Sequence, residues 1–373
     1  MDRGRVVAGT RQRKHMKRLH SLTQIFLSVF LAIVATTGQA LADKPSVIRI
    51  AFPGVGIGNR PFVGGGTAAN LHLKGALEEE FKADGIKVEW TFLRGAGPAV
   101  NELYANGLVD FSPLGDLPFI VGQASGLKRK VLASSFIRGN TYLVVPADSS
   151  IQSIKDLRGK KVAIFKGTNI QIAVGQILES VGLTEKDIRA INLDTGASRA
   201  AIVTKDIDAY FGGNDVLSLR DQGVARLIYS TRGDPRFLRH GVLTGTEAFI
   251  NKYPEITQRI VNRYVEAAKW ISDRTEKPAE VFQLWTKSGV QFNNYKEDYV
   301  GLPLKVSVSP LLDPYILTQL RSKIELAKKF GLIKQTFNFD SLIDDRFLKA
   351  ALKKYGLDDY WQVLPPSGVF NAG

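Results

Sequence analysis

The stretch DFSPLGD at residues 110–116 recurs 98 residues further along the chain, without a gap, as DAYFGGN at residues 208–214. Each copy follows a short helical stretch and precedes a helix that ends in a glycine turn. Each then returns to a strand, KVLASSF in the first copy and RLIYSTR in the second. A repeat with the same order of elements around it indicates a duplicated unit. The sequence therefore predicts two similar α/β units.

Strands and helices alternate around this repeat, which favours βαβ units and largely parallel sheets. The pattern predicts strands at residues 47–52, 87–93, 109–113, 131–138, 141–145, 161–165, 188–193 and 208–211. It predicts helices at residues 68–81, 98–105, 117–124, 169–181 and 198–204. From about residue 247 the chain becomes mostly helical, with helices near residues 254–274, 279–287, 314–330 and 345–355. We expect two lobes, with a ligand cleft beyond the carboxyl ends of the strands.

Residues 1–42 have the composition of an export signal. Seven basic residues oppose one acidic residue, an apolar run (IFLSVFLAIVA) fills residues 25–35, and ALA ends the segment. These are the parts of a secretory signal peptide, and the run is shorter than the roughly 20 residues that a membrane span needs. We predict cleavage after Ala42 and export to the periplasm. Met16 begins a complete signal by itself, so the start could be Met1 or Met16.

The composition excludes several classes of protein. Hydrophobic residues at 44% and charged residues at 23% are ordinary globular values, and the absence of cysteine excludes disulfides and cysteine nucleophiles. The net charge of +14 falls to +8 over the 331 residues after the leader. Only His72 and His240 remain there, and no nucleophile or Walker motif occurs. We predict no catalytic residue, no metal site, no cofactor and no nucleic-acid partner.

The turn KGTN at residues 166–169 is the strongest candidate for holding an anion. It follows a strand and opens a helix, where backbone N–H groups, the helix dipole, a hydroxyl and a lysine are available. Plain helix capping by Thr168 is an equally good interpretation. Arg94, in another turn before a helix, could face an anion or be solvated, and we favour the solvated interpretation.

Further turns add polar candidates. Asp116 and Asn214 take matching places in the two repeats, and each is also a candidate N-cap. Asn140 would line the hinge side of the cleft if the chain crosses between lobes there, as would the neighbouring Thr141.

A glycine-rich stretch, PGVGIGNRPFVGGG at residues 53–66, follows the first strand. Its G-x-G-x-G spacing departs from the dinucleotide fingerprint, and no acidic residue follows at a second strand end. A flexible cleft loop, with Arg60 adding charge, and a solvated surface loop are both consistent with this composition.

Three blocks of sequence resemble the periplasmic solute-binding proteins of ABC importers, in the sulfonate, nitrate and taurine group. They are VDFSPLGDLPFIVGQASGLKRKVLASS from residue 109, YLVVPADSSIQSIKDLRGKKVAIFKGTN from residue 142, and IRAINL with DIDAYFGGND from residues 188 and 206. The resemblance implies an α/β, two-lobed type II binding-protein fold, in which each lobe has a mostly parallel sheet flanked by helices and the C-terminal part is helical. Lobe 1 would comprise residues 43–138 plus 237–373, and lobe 2 residues 139–236.

The resemblance also implies ligand-binding residues. The positions that match the family are Gly115, Asp116, Thr141, Gly167, Thr168, Asn169, Asn214 and Asp215. Two departures are the longer glycine-rich loop at residues 53–67 and the lack of a tryptophan near the last ligand turn, where Gly212 and Gly213 stand.

The function implied is that of a periplasmic monomer that closes on a small anionic solute, of the aliphatic sulfonate, taurine or nitrate type. It would deliver the solute to an ABC permease in the inner membrane. Two alternatives are an enzyme of the thiamine-pyrimidine synthase-like branch of the same fold and a ligand sensor for a membrane kinase.

Overall fold

The computed structural model describes Met1 and residues 44–370. The elements below all belong to one compact unit, Pro45–Gly373. The predicted signal peptide and its cleavage site after Ala42 lie outside the described residues. In the part of the chain that is described, no helix is both long enough and apolar enough to cross a membrane.

The first sheet has five strands. They are β1 (Val47–Phe52), β2 (Lys87–Phe92), β3 (Phe111–Gly115), β4 (Arg129–Gly139) and β10 (Arg239–Thr246). Their order is β2-β1-β3-β10-β4, with β1 parallel to β2 and β3, and β10 antiparallel to β3 and β4. Four strands therefore run in one direction and β10 runs in the other.

The second sheet repeats this arrangement. Its strands are β5 (Tyr142–Pro146), β6 (Lys161–Ile164), β7 (Arg189–Asn192), β8 (Ala209–Gly212) and β9 (Ala225–Ser230). The order is β7-β6-β8-β5-β9, and β5 is the single reversed strand. The prediction of two α/β units with mostly parallel sheets is confirmed. The reversed direction of one strand in each sheet was not predicted.

The two reversed strands occupy corresponding places along the chain. β5 follows β4 along the chain and β10 follows β9, so each reversed strand is the first one formed after the chain passes from one sheet to the other. The strands of the two sheets divide as expected for two lobes. The lobe boundaries at residues 138/139 and 236/237 stay a prediction.

The aspartates that begin the two repeats make the same contact. Oδ2 of Asp110 accepts the backbone N–H of Arg49 in β1 at 2.8 Å, and Oδ2 of Asp208 accepts that of Lys161 in β6 at 2.7 Å. Each aspartate thus joins the start of one strand, β3 or β8, to the neighbouring parallel strand of its own sheet, β1 or β6. The repeat seen in the sequence has equivalent places in the two sheets.

Helices flank both sheets. The helices are α1 (Thr67–Leu73), α2 (Ala76–Lys82), α3 (Ala96–Ala105), α4 (Asp116–Ala124), α5 (Asn169–Glu179), α6 (Thr195–Thr204), α7 (Leu217–Asp221), α8 (Glu247–Lys252), α9 (Pro254–Ser272), α10 (Ala279–Trp285), α11 (Phe292–Asp298), α12 (Leu304–Ser307), α13 (Pro314–Lys329) and α14 (Arg346–Tyr355). The prediction of one helix over residues 68–81 was wrong, because Gly75 adopts a left-handed φ of 62° between α1 and α2.

The core of the first sheet is closed by the C-terminal helices. In α9 the buried residues recur at helical spacing, as the pattern near residues 254–274 predicts. Ile260, Val261 and Tyr264 pack in one apolar cluster with Ile48 of β1 and Leu352 of α14. The helical C-terminal part therefore packs as a covering layer against the first sheet.

Candidate ligand-binding site between the two sheets

The turn before α5 has the local structure that its sequence predicts. Thr168 is the N-cap residue, and its hydroxyl oxygen accepts the N–H of Ile170 at 3.3 Å while it donates to the carbonyl of Phe165 at 2.7 Å. Capping by Thr168 is therefore confirmed. The backbone N–H groups of Lys166 and Gly167 already donate to the side chains of Asn192 and Gln171, at 3.0 and 2.7 Å, so the part of this turn that suits an anion is the start of α5 itself.

Two glycines bring the turns of the two sheets close together. A Cβ atom on Gly115, at the end of β3, would lie 2.9 Å from Nδ2 of Asn169 at the start of α5. A Cβ on Gly167, whose φ of 75° is left-handed, would lie 2.7 Å from Cγ of Pro98. A side chain at either position would crowd the opposite turn. The predicted residues Gly115, Gly167 and Asn169 thus meet between the sheets.

Three polar residues of the second sheet and its turns converge on Asp298 at the end of α11. Nδ2 of Asn140 and Oη of Tyr142 donate to Oδ1 of Asp298 at 2.9 and 2.6 Å, and Nδ2 of Asn214 donates to Oδ2 at 3.1 Å. Burial raises the pKa of Asp298, and these donors act to lower it. Asn214 is therefore engaged with Asp298, and it shows no side-chain capping bond of the kind its sequence position suggested.

Arg239 is the central cation of the region. Its guanidinium donates to the backbone carbonyl of Asn140 and, at 3.2 Å, to Oδ1 of Asn169. Nε of Arg239 is buried and has no hydrogen-bond partner among the described residues. Burial lowers the pKa of Arg239, and three nearby carboxylates act to raise it. These carboxylates belong to Asp298, Asp116 and Asp215.

Asp215 is joined to Arg199 of α6. The guanidinium lies 3.8 Å from the carboxylate and also donates to Oγ of Ser218 at 3.0 Å. Tyr210 donates to Oδ2 of Asp215 at 3.3 Å. Burial raises the pKa of Asp215, whereas the nearby Arg199 acts to lower it.

Asp116 and Thr141 are fully buried. The carboxylate of Asp116 accepts the backbone N–H groups of Leu117 at 2.7 Å and His240 at 3.0 Å, so it joins the start of α4 to β10. The helix predicted at residues 117–124 implied that Asp116 is the residue before the helix. In the structure Asp116 is the first residue of α4. The N–H of Thr141 donates to Oγ1 of Thr231.

A cavity of about 590 Å³ lies where the carboxyl-end turns of both sheets meet. Of the predicted site residues, Thr168, Asn169, Asn214 and Asp215 line it. The remaining predicted residues, Gly115, Asp116, Asn140, Thr141 and Gly167, do not line this cavity. Five charged residues line the cavity: Arg94, Asp194, Arg199, Asp215 and Arg239. Among the lining side chains, three positive and two negative charges leave one positive charge in excess at neutral pH, while the carboxylates of Asp298 and Asp116 lie near Arg239 without lining the cavity.

Arg94 and Asp194 form an ion pair of 2.8 Å between the turn after β2 and the start of α6. The side chain of Arg94 is 57% exposed, as the solvated interpretation predicts, yet it also lines the cavity. Asp194 is at the same time the N-cap of α6, accepting the N–H of Ala197. Burial acts to raise the pKa of Asp194, but the hydrogen bonds from Ala197 and Arg94 outweigh it and lower the pKa.

The glycine-rich loop forms one wall of the cavity and is held in place. The N–H of Ile57 donates to the carbonyl of Ser288 at 2.7 Å, and a Cβ on Gly56 would lie 2.5 Å from the same oxygen. Arg60, which could have added charge to the cleft, is exposed and is not among the lining residues. The described residues contain no group of three or more His, Asp or Glu side chains that could hold a metal ion.

Sequence reasoning did not single out Arg239, Asp298, Arg199 or Asp194. None of them stands in a recognisable motif. The partners of Arg239, Asp298 and Asp194 lie 70 or more residues away along the chain, whereas Arg199 pairs with Asp215 only 16 residues away. One signal in the sequence could have pointed to Asp194. It follows the end of strand β7 at the same distance as Lys166 follows the end of strand β6.

Two sheets of equivalent strand arrangement, each with one reversed strand, and a cavity at the ends of their strands define the fold of periplasmic binding proteins. A family model described as "NMT1/THI5 like" matches residues 80–279, and the chain belongs to this family.

Two relatives share most of the chain. A Bacillus subtilis protein named for binding aliphatic sulfonates is 25% identical over 284 residues, which is 76% of this chain and 83% of the relative. The crystal structure of SsuA, a periplasmic sulfonate-binding protein from Methylobacillus flagellatus, is 30% identical, with a TM-score of 0.71. That comparison covers 89% of this chain and all of the other. The resemblance to sulfonate-group binding proteins is thereby confirmed.

The fold is also shared with an enzyme. The desulfurization enzyme DSZB is 18% identical, with a TM-score of 0.59, and the comparison covers 83% of this chain and 99% of the other. At this identity the similarity concerns the fold alone.

Proposed function

We propose that this protein is the periplasmic substrate-binding component of an ABC importer and that it captures a sulfonate-type anion in the cavity between its two sheets. The observation that carries the proposal is the charge of that cavity. One excess positive charge complements a sulfonate, which is a monovalent anion throughout the physiological pH range. The names of the relatives, which refer to sulfonate binding, support the same class of ligand.

The head group of the ligand binds at the start of α5 and beside Arg239. Thr168 and Asn169 provide the capped helix start, and Arg239 adds charge and a donor, Nε, that has no partner among the described residues. Preorganised backbone N–H groups and a guanidinium suit an anion with several acceptor oxygens. Asn214 and Asp215 complete the far side of the cavity.

The remaining predicted residues shape this site. Gly115 and Gly167 permit the close approach of the two turns, and Asn140 presents its carbonyl to Arg239. Asp116 and Thr141 support the site from behind through backbone hydrogen bonds.

The two lobes move relative to each other when the ligand binds. The chain passes between the sheets twice, from β4 to β5 and from β9 to β10, and such crossings serve as hinges. Contacts such as Arg94–Asp194 then form only in the closed state. The protein acts as a monomer, and the closed form delivers the ligand to the permease. Small-angle scattering with and without ligand should show compaction, and an unchanged radius of gyration at saturation would contradict closure.

The composition of the leader at residues 1–42 supports export of the protein. The protein crosses the inner membrane and loses residues 1–42. Intact mass of periplasmic protein should correspond to a chain beginning at Asp43, whereas an uncleaved chain retained in the membrane would contradict this localisation.

Binding is favoured over catalysis. The chain contains no cysteine, and His72 and His240 do not line the cavity. His240 is fully buried, and burial lowers its pKa well below the ordinary value, which keeps it neutral and away from any solute.

Calorimetry on the mature protein tests the proposal, with ethanesulfonate, taurine, nitrate and acetate as ligands. Ethanesulfonate should bind. The Arg239→Gln substitution should lower the affinity for it by about 10- to 100-fold, because hydrogen bonds to charged groups are worth about 1.5–3 kcal/mol. Arg226→Gln is the matched control, because Arg226 lies in β9 and bonds to carbonyls of residues 149 and 151, outside the cavity. Equal affinity in the Arg239 variant, in folded protein, would remove this arginine from the site.

A further inference from the structure

We propose that Asp298, which does not line the cavity, restricts the ligand to a single negative charge. The site accepts a sulfonate and rejects a doubly charged anion of the same shape, such as the dianion of an alkylphosphonate. Asp298 acts through its charge and does not contact the ligand. This inference rests on the proposed function, because it assigns the residue that sets charge selectivity at the same site.

Asp298 lies directly behind two residues of the cavity wall. Its Oδ2 accepts from Nδ2 of Asn214 at 3.1 Å, and Asn214 lines the cavity. Its Oδ1 accepts from Nδ2 of Asn140 at 2.9 Å, and the backbone carbonyl of the same asparagine accepts from Arg239. One residue, Asn140, therefore separates the carboxylate of Asp298 from the guanidinium of Arg239.

The hydrogen bonds of Asp298 are those of an ionised carboxylate. Asn140, Tyr142 and Asn214 all donate to it, and an ionised carboxylate can only accept. The charged and titratable side chains around it are Arg239 of β10, Tyr142 of β5, Tyr295 and Tyr299 in and after α11, Arg232 before β10 and the neighbouring Glu297. Burial raises the pKa of the three tyrosines, so they stay neutral and do not change the charge balance.

Asp298 differs from the two other carboxylates near the central guanidinium, because each of those has a cation of its own. Asp215 pairs with Arg199 at 3.8 Å. Asp116 lies near the buried Lys323, whose charge acts to lower the pKa of Asp116. Among the described residues Asp298 forms no ion pair, and the cation that acts on its pKa is the central guanidinium itself. Asp298 is therefore the carboxylate that offsets this guanidinium from behind.

This arrangement limits how much negative charge the site can hold. The lining side chains carry one positive charge in excess, which a single anionic charge neutralises. A second charge on the ligand meets the carboxylate of Asp298 with no further cation to compensate it. His240, next to Arg239 in the chain, cannot supply one, because burial lowers its pKa well below the ordinary value and keeps it neutral. Like charges repel strongly where little water separates them.

A pH titration of the wild-type protein tests the selectivity without any substitution. Ethanesulfonate and ethylphosphonate share a tetrahedral head and a two-carbon chain, but the phosphonate loses a second proton in the mildly alkaline range. Between about pH 6 and about pH 9 the affinity for ethylphosphonate should fall about tenfold, because only its monoanion binds, whereas that for ethanesulfonate should change less than about twofold. Calorimetry in buffers of different ionisation enthalpy should also show that ethylphosphonate takes up a proton when it binds.

The Asp298→Asn substitution tests the residue. In this variant the decrease for ethylphosphonate should shrink to less than about threefold, since a unit charge within about 10 Å, at an effective dielectric constant of about 20, changes the affinity for another charge at least about tenfold. A loss of positioning alone would weaken both ligands equally and leave this pH profile unchanged. Where the single variant does not fold, Asp298→Asn combined with Tyr142→Phe removes the acceptor charge together with a donor to it, and the same result is expected.

Glu297→Gln is the matched control. It removes one negative charge from the adjacent residue, but the carboxylate of Glu297 pairs with Arg220 and Arg232, neither of which lines the cavity. Because Glu297 is partly exposed and has two cations of its own, this variant should keep the wild-type decrease for ethylphosphonate.

The outcomes separate this inference from the proposed function. If ethanesulfonate binds and the affinity for ethylphosphonate is the same at both ends of the pH range, charge selectivity is overturned and the proposed function stands. If the wild-type decrease persists in the folded Asp298 variant, or disappears equally in the Glu297 variant, the assignment to Asp298 is overturned. If ethanesulfonate does not bind the wild-type protein, the proposed function is overturned and the inference with it.

Discussion

Tyr142 donates a hydrogen bond of 2.6 Å to Oδ1 of Asp298, which lies 156 residues further along the chain. The bond joins β5, the first strand of the second sheet, to the end of α11 in the helical C-terminal part. Asn140, which lies in the first crossing between the sheets, also donates to Asp298. The end of α11 is thus held beside this crossing. Asp298 therefore ties a C-terminal helix to the second sheet beside the first crossing between the sheets.

We predict that Tyr142→Phe lowers the free energy of unfolding by about 1–3 kcal/mol, because a buried carboxylate loses a donor. Chemical denaturation measures the change. Asp298→Asn and the double variant complete a thermodynamic cycle, and a coupling energy of about 0.5–3 kcal/mol is expected for residues in direct contact. Additive effects of the two substitutions would show that this bond contributes nothing.

The cap of α5 gives a second prediction. Thr168→Ala removes the hydroxyl that accepts from Ile170, so the free energy of unfolding should fall by about 1 kcal/mol. Affinity for the ligand should fall further if the hydroxyl also contacts it, by about 1–3 kcal/mol. Thr168→Ser keeps the hydroxyl and is the control. Stability lost equally in both variants would argue against a capping role.

The ion pair between Arg94 and Asp194 gives a third prediction. Arg94→Gln should leave stability nearly unchanged, because the arginine is more than half exposed, but it should speed ligand dissociation by about 1.5- to 5-fold at low salt. Stopped-flow measurements at two salt concentrations test this, since salt should reduce the difference.

Arg158→Gln is a closely matched control for Arg94→Gln. Its ion pair with Asp187 has similar exposure, with side chains 62% and 27% exposed, but both residues belong to the second sheet region and do not line the cavity. Equal dissociation rates in wild-type protein and the Arg94 variant would mean that the pair does not hold the cleft closed.

A fourth prediction concerns pH. Glu80 of α2 binds Nε of Arg259 and Nε of Arg263, both in α9, at 2.6 Å. Burial acts to raise the pKa of Glu80, but these arginines outweigh it and hold the pKa below the ordinary 4.5. The folded state therefore binds the proton less readily than the unfolded state, and Glu80 stabilises the fold above pH 4.5.

Glu80→Gln should accordingly lower the free energy of unfolding by about 1–3 kcal/mol at pH 7. The difference from wild type should shrink as the pH falls below 4.5 and disappear below the pKa of Glu80 in the folded protein. Urea titrations across this range measure it, and Glu79→Gln, at an exposed neighbour, serves as the control. A difference that is the same at pH 7 and at the lowest pH would contradict the ionic origin of the effect.

Much of the fold could be predicted because it depends on local patterns. Strands such as β1 appear in the sequence as short apolar runs, and α9 appears through its helical spacing. The repeat at residues 110–116 and 208–214 indicated the duplication, and Asp110 and Asp208 make equivalent bonds in the two sheets. The reversed strand β10 could not be found in this way, since its sequence RHGVLTGT lacks a clear apolar alternation.

The sequence by itself determined the two α/β units, the helical C-terminal part and the turns that carry Thr168, Asn169 and Asn214. Tertiary structure alone decided which polar and charged side chains meet. Arg239 reaches Asn169 across 70 residues, and Arg94 reaches Asp194 across 100. Secondary structure is set by neighbours a few residues apart, which a sequence displays directly. Long-range ion pairs depend on how the sheets are placed, and no periodicity in the chain records that placement.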